Sequence, residues 1–219
     1  MRTVLLAQSV ALIVVALFGA TSPAVAQDAN VQAGEELYKV CAVCHGKKAL
    51  GNPTLNAPKL VDQSTAYLQR QLQNFKSGLR GKAKGDRYGG QMQPMVSALD
   101  EADIINVAGY IASLTPPVAK KVKSKVKGDA EKGRQLYQTC VACHGADGKG
   151  NDALGAPRLA GQSDWYLLRQ LQNFQKGARG AQPGDTFGSQ MRAMATTLAD
   201  KKSQRNVVAY INSLGAEAN

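Results

Sequence analysis

The sequence predicts an all-α protein in which one helical unit is written twice. Three observations carry that expectation. Residues 62–81, DQSTAYLQRQLQNFKSGLRG, return at 161–180 as GQSDWYLLRQLQNFQKGARG, with thirteen of twenty positions identical and no gap. Apolar residues in both copies recur at helical spacing, and no segment sustains the alternation of a strand. The pentapeptides Cys41-Ala-Val-Cys44-His45 and Cys140-Val-Ala-Cys143-His144 lie 99 residues apart and use every cysteine and histidine in the chain. The offset of 99 holds from Gly34/Gly133 to Leu99/Leu198 and becomes 100 by Asn106/Asn206, so the second copy has one extra residue before its last helix. Two copies of this length make a duplication, not a solenoid.

The chain opens with Arg2, an apolar run from Val4 to Ala20, and Ala24-Val25-Ala26 before Gln27. This pattern predicts a signal peptide over 1–26 with cleavage after Ala26. The run is near the lower length limit for a membrane span and is interrupted by Gln8 and Ser9. The first domain is expected over 27–114. It starts with a helix over about 31–40, matched at 130–139, that closes on the Cys-x-x-Cys-His motif. A Gly/Asn/Pro-rich loop follows. The next helix starts near Ser64, with Tyr67, Leu68, Leu72 and Phe75 on one face and Arg70, Gln73 and Asn74 on the other. Gly78 and Gly81 end it. A glycine-rich loop runs to Met92, and a last helix over about 101–114 turns Ile104, Val107, Ile111 and Leu114 inward. Pro116-Pro117 then stops the helix. Residues 115–128 read as a basic linker and 129–219 as the second domain.

The net charge is +11, and Lys120, Lys121, Lys123, Lys125 and Lys127 in the linker supply nearly half of it with no acid among them. Nucleic acid is excluded as a partner by the export signal and by the lack of a base-reading motif. An acidic patch on a redox protein or an anionic membrane surface fits the charge, as does a plain solvated spacer.

Cys-x-x-Cys-His is the attachment signature of haem c. Two cysteines one helical turn apart form thioethers with the two haem vinyls, and the adjacent His reaches the iron. The expected cofactors are therefore two covalently bound haem c, held by Cys41, Cys44, Cys140 and Cys143, with His45 and His144 as axial ligands. A four-cysteine zinc site needs no His after each pair, and a thioredoxin-like pair needs a βαβ context. Attachment of haem c in bacteria occurs outside the cytoplasmic membrane, so motif and signal agree on the periplasm. With both histidines used, the sixth ligand falls to Met92 or Met95 and to Met191 or Met194, the four methionines left after signal removal. Met92 and Met191 are favoured because each directly follows the glycine-rich loop, leaving Met95 and Met194 as core filler. Pro58 and Pro157, at equal distance after each His, each offer a carbonyl to the far ring nitrogen. Arg70 and Arg169 recur at one place on the second helix, either exposed or pairing with haem propionates or across the domain interface. Tyr67 and Tyr166 are read as core residues with a satisfied hydroxyl.

The motif, Ala57-Pro58-Lys59-Leu60, Ala156-Pro157-Arg158-Leu159, the Tyr-Leu-x-x-Gln-Leu helix and the Met-x-x-Met ending resemble class I c-type cytochromes. Two such domains after a signal peptide resemble the di-haem cytochromes c4, over residues 30 to 215. The resemblance implies two tandem class I domains, each wrapped around one covalent haem and facing each other through their haem edges. It implies the first Met of each pair as ligand and a Pro carbonyl on each proximal His. It also implies electron transfer from a cytochrome bc complex or a dehydrogenase to a terminal oxidase or reductase. A dedicated cytochrome subunit of a periplasmic dehydrogenase is the alternative. A di-haem enzyme is disfavoured, because a peroxidase needs an open sixth site and a free acid–base group.

Overall fold

In a computed structural model, residues 28–116 and 124–215 are described. The signal peptide expected over 1–26 and much of the basic linker lie outside them. Among the described residues there are helices and no sheet; the backbone pairs as strands do only at Asn52↔Ala57 and Asn151↔Ala156.

The first half contains α1 (Val31–His45), α2 (Thr65–Ser77), the short α3 (Arg87–Gly90) and α4 (Met92–Val96), and α5 (Glu101–Ser113). The second contains α6 (Ala130–Tyr137), α7 (Val141–His144), a 3-10 turn at Asp152–Leu154, α8 (Asp164–Gln175), α9 (Thr186–Thr196) and α10 (Lys201–Leu214). Side-chain caps fix most helix starts. Asn30 Oδ1 accepts from Ala33 N, Ser64 Oγ from Tyr67 N, and Asp100 and Asp103 close a capping box on α5. The extra residue of the second copy falls in the turn before α10, where Leu198-Ala199-Asp200 replaces Leu99-Asp100; Asp100 and Asp200 are equivalent caps.

In each half the first and last helices cross at a glycine. A Cβ on Gly34 would stand 2.1 Å from Asn106 O, and one on Gly133 would stand 2.0 Å from Asn206 O. No other residue allows so close a crossing. The asparagine side chains then accept from Asn30 N at 2.8 Å and Asp129 N at 2.9 Å. Around each crossing a core forms. Tyr38, Val61, Leu68, Val107 and Ile111 fill the first, and Tyr137, Leu167, Phe174, Val207 and Ile211 the second. Both cores are small, as expected for halves of this size.

Two expectations are corrected, and one contact was not foreseen. The first helix runs through the motif to His45 in the first copy, but in the second it breaks at Gln138–Cys140. The glycine-rich loop does not reach Met92 unstructured: α3 precedes it, and in the second half one helix, α9, carries Met191. The end of the linker is anchored. Asp164 Oδ2 accepts from Ser124 Oγ (2.9 Å), Lys125 N (2.5 Å) and Val126 N (2.8 Å), and Val126 is buried in the second core.

Candidate functional site

Each site is built from a helix end and the loop after it. The motif closes its helix at Gly46 or Gly145, and Tyr38 Oη and Tyr137 Oη donate to those glycine carbonyls at 2.8 and 2.9 Å. This ties the first helix to the turn. The chain then doubles back through the Asn52↔Ala57 or Asn151↔Ala156 pairing. At Gly51 the crossing is tight: φ is +79° and a Cβ would lie 2.7 Å from Ala57 O. The doubled-back strand delivers Pro58 O to His45 Nδ1 at 2.9 Å, and Pro157 O to His144 Nδ1 at 2.9 Å.

A carbonyl can only accept, so Nδ1 carries the proton and Nε2 keeps its lone pair for a metal. Both imidazoles are buried, 5% and 6% exposed, and burial pushes their pKa below the ordinary value against the pull of the carbonyl. Cys41 and Cys140 are partly buried, Cys44 and Cys143 exposed, and none is in a disulfide. Among the described residues no three His, Cys, Asp or Glu side chains converge as a metal site would need. The two Cys pairs therefore do not meet in one zinc site.

Met92 and Met191 are partly buried, and Met191 packs against the second core. Met95 and Met194 are 45% and 38% exposed, so core filler is the wrong description of them.

The two halves meet through a polar interface with pseudo-twofold symmetry. Arg80 Nη1 donates to Gln71 Oε1 at 2.7 Å, and its Nη2 to Tyr166 Oη at 2.8 Å. In mirror fashion, Arg179 donates to Gln170 Oε1 at 2.8 Å, to Gln71 Oε1 at 2.8 Å and to Tyr67 Oη at 3.4 Å. Tyr67 and Tyr166 thus have satisfied hydroxyls, but they serve the interface and not the cores. Burial pushes the Tyr67 phenol up, yet the Arg179 and Arg80 guanidiniums outweigh it and hold it below its usual range. Arg70 and Arg169 are not exposed helix residues: Arg70 donates to Gly155 O at 2.5 Å, and Arg169 to Asn56 Oδ1 at 2.8 Å and Asn56 O at 3.1 Å. Each also stacks on an aromatic ring of the other half, Arg70 on Phe187 and Arg169 on Tyr88.

The family model for cytochrome c matches residues 31–115 and again 130–215. The chain belongs to the cytochrome c family. Cytochrome c4 of Stutzerimonas stutzeri is 34% identical over 194 residues, covering 84% of this chain and 89% of that protein. A thiosulfate dehydrogenase electron acceptor of Stutzerimonas stutzeri strain A1501 is 30% identical over 197 residues, covering 82% of this chain and 87% of that protein. The crystal structure of reduced recombinant cytochrome c4 from Pseudomonas stutzeri superposes with a TM-score of 0.66 at 31% identity, covering 84% of this chain and 98% of that one. As a tandem cytochrome c the protein carries two covalently bound haem c and is a di-haem electron-transfer protein.

Arg80 and Arg179 are residues that sequence reasoning missed. They are 6% and 8% exposed, and no carboxylate among the described residues pairs with either. Arg80 Nε has no partner at all. A buried guanidinium without an anion carries a desolvation penalty of several kcal/mol. Haem c brings two carboxylates per macrocycle, so these residues fit the group. The signal was in the repeat: Arg80-Gly81 and Arg179-Gly180 are identical in register, as are Gln71 and Gln170.

Proposed function

We propose that the protein is a periplasmic carrier that moves electrons between a respiratory donor, a cytochrome bc complex or a dehydrogenase, and a terminal oxidase or reductase. The observation that carries this reading is the matched pair of sites. Each has a histidine with its Nδ1 proton committed to a carbonyl and a partly buried methionine at the equivalent place. Cys41 and Cys44 would hold one haem and Cys140 and Cys143 the other. His45 with Met92, and His144 with Met191, would close both axial positions of each iron, with Pro58 and Pro157 fixing the histidines and Arg80 and Arg179 receiving haem carboxylates. A bound haem supplies one-electron iron chemistry, and His/Met ligation sets it at high potential. The chain's own residues keep the site closed and orient it, and among the described residues no nucleophile–base constellation accompanies it, which supports a carrier over an enzyme.

Export to the periplasm follows from the signal pattern and from haem c attachment. Among the described residues no helix is long and apolar enough to cross a membrane. The basic linker supports acidic redox partners or an anionic membrane surface. The similarity to a thiosulfate dehydrogenase electron acceptor favours one second reading, a carrier dedicated to a single dehydrogenase.

Stopped-flow mixing tests the proposal. The ferrous protein should pass both electrons to an oxidised one-electron acceptor protein at a rate that falls with ionic strength, and should show no catalytic turnover with hydrogen peroxide. Sustained peroxide turnover would replace the carrier with an enzyme. Stable co-purification with one dehydrogenase would favour the dedicated reading.

A further inference from the structure

The interface grips the loops that hold the two histidines, and it does so crosswise. Gly155 and Arg158 flank Pro157, whose carbonyl bonds His144. The groups that bond Gly155 O and Arg158 O come from the other half: Arg70 Nη2 at 2.5 Å and Gln63 Nε2 at 2.8 Å. In return, Asn56 and Lys59 flank Pro58, whose carbonyl bonds His45. Asn56 is held by Arg169, and Lys59 O accepts from Gln162 Nε2 at 2.9 Å. Gln63 and Gln162 are both buried, and Arg70 and Arg169 are both partly buried. Four side chains thus bracket two proline carbonyls, and every one of them crosses the interface.

We propose that Arg70 and Gln63 are positioning residues for the haem of the second half, and Arg169 and Gln162 for the haem of the first. Each half holds the proximal hydrogen bond of the other. This rests on His45 and His144 being the axial ligands. The physical link is the basicity of the imidazole. A firm Nδ1–H···O=C bond makes the ring a stronger donor, which favours ferric iron and lowers the potential. A loosened loop lengthens that bond and raises the potential of the haem it serves. The halves are then coupled through the backbone of the two loops, and a shift of one half against the other moves the potential of both.

The two brackets are unequal. Asn56 gives Arg169 both a side-chain oxygen and a carbonyl, whereas Gly155 gives Arg70 a carbonyl alone. The loop serving His45 is held more firmly.

The test is spectroelectrochemical titration of two double variants of the full-length holoprotein, each keeping the charge. Arg169→Lys/Gln162→Met should raise one of the two redox waves, and Arg70→Lys/Gln63→Met should raise the other. The lysines keep the cation and lose the planar fork, and the methionines keep the shape and lose the donor. The expected size is roughly a two- to tenfold change in the ferrous-to-ferric ratio at a fixed potential, larger for the Arg169/Gln162 pair. Met92→His or Met191→His backgrounds identify the waves, because a second histidine drops the potential of that haem alone. Variants in the second half should move the first haem, and the reverse. A shift confined to the variant's own half, or no shift in either wave, overturns the proposal. If neither Met→His change displaces a wave, the ligand assignment fails, while the comparison without those backgrounds still decides the clamp: both double variants moving the same wave defeats it. Haem content of each variant reports folding, and the single Gln162→Met and Gln63→Met changes repeat the test should either double variant lose haem.

Discussion

The two halves share their motifs and interface arginines and differ in how their helices are divided. The motif, the proline loop, the Gln-x-x-Asn-Phe stretch and the interface arginines recur in register. The helix divisions do not. α1 is continuous, whereas its copy is split into α6 and α7 around Thr139. The Thr139 hydroxyl donates to Leu136 O, a local bond that competes with the helix ladder; Val40 stands in its place in the first half. Conversely α9 is continuous, whereas its counterpart is split into α3 and α4. Pro94 has no N–H for Gly90 O and interrupts the turn at Gln91, whereas Ala193 lets α9 run on. The scaffold tolerates different helix divisions so long as histidine, methionine and interface arginine arrive at the same places.

The largest difference open to a test is the anchor at Asp164. Its counterpart in the first half is Thr65, with no such role. Asp164→Asn should destabilise the second half by about 1–3 kcal/mol, because a charged acceptor of three linker donors is lost. Thr65→Ala should leave the first half within about 0.5 kcal/mol. Calorimetry resolving the two transitions checks both, and equal effects would erase the asymmetry. The same group has a pH signature. Burial pushes the Asp164 carboxyl up, but the hydrogen bonds from Val126 N, Ser124 Oγ, Trp165 N and Lys125 N outweigh it and lower its pKa. A carboxyl with a depressed folded pKa stabilises above its unfolded value of about 3.9, and that contribution is lost as pH falls below it. The second half should therefore lose more stability than the first on acidification below about pH 4.

The smallest effect belongs to Pro94. Pro94→Ala should join α3 to α4 and leave stability nearly unchanged. The gained hydrogen bond to Gly90 O is offset by a freer unfolded chain, each about 1 kcal/mol or less. Amide exchange reads it: residue 94 should acquire a protected amide. An amide that exchanges freely would mean that the glycines at 89 and 90 break the helix, and not the proline.

Much of this was legible in sequence. Helix starts near Ser64 and residue 101 follow from apolar residues at helical spacing, and the proline carbonyls opposite His45 and His144 follow from equal spacing. The interface was not legible, for a physical reason. Arg70 and Arg169 lie on the polar side of their helices, and an amphipathic pattern assigns that side to water. Here two polar faces bury each other, and periodicity cannot tell a polar partner from solvent. Arg80 and Arg179 lie just past helix ends, where no periodicity exists. Met95 and Met194, expected as core filler, are exposed, because methionine suits a core and an exposed turn alike. The breaks in these helices rest on single residues, Thr139 and Pro94, whose effect depends on the turn around them.

The central claim is that each half presents one closed His/Met iron site. The visible spectrum of the ferric protein, taken with its haem count, tests it most directly. Two haems per chain are expected by pyridine haemochrome, with a low-spin spectrum and a far-red sulfur-to-iron band of twice the intensity expected for one site. One haem per chain, a high-spin component, or a band of single-site intensity would contradict it.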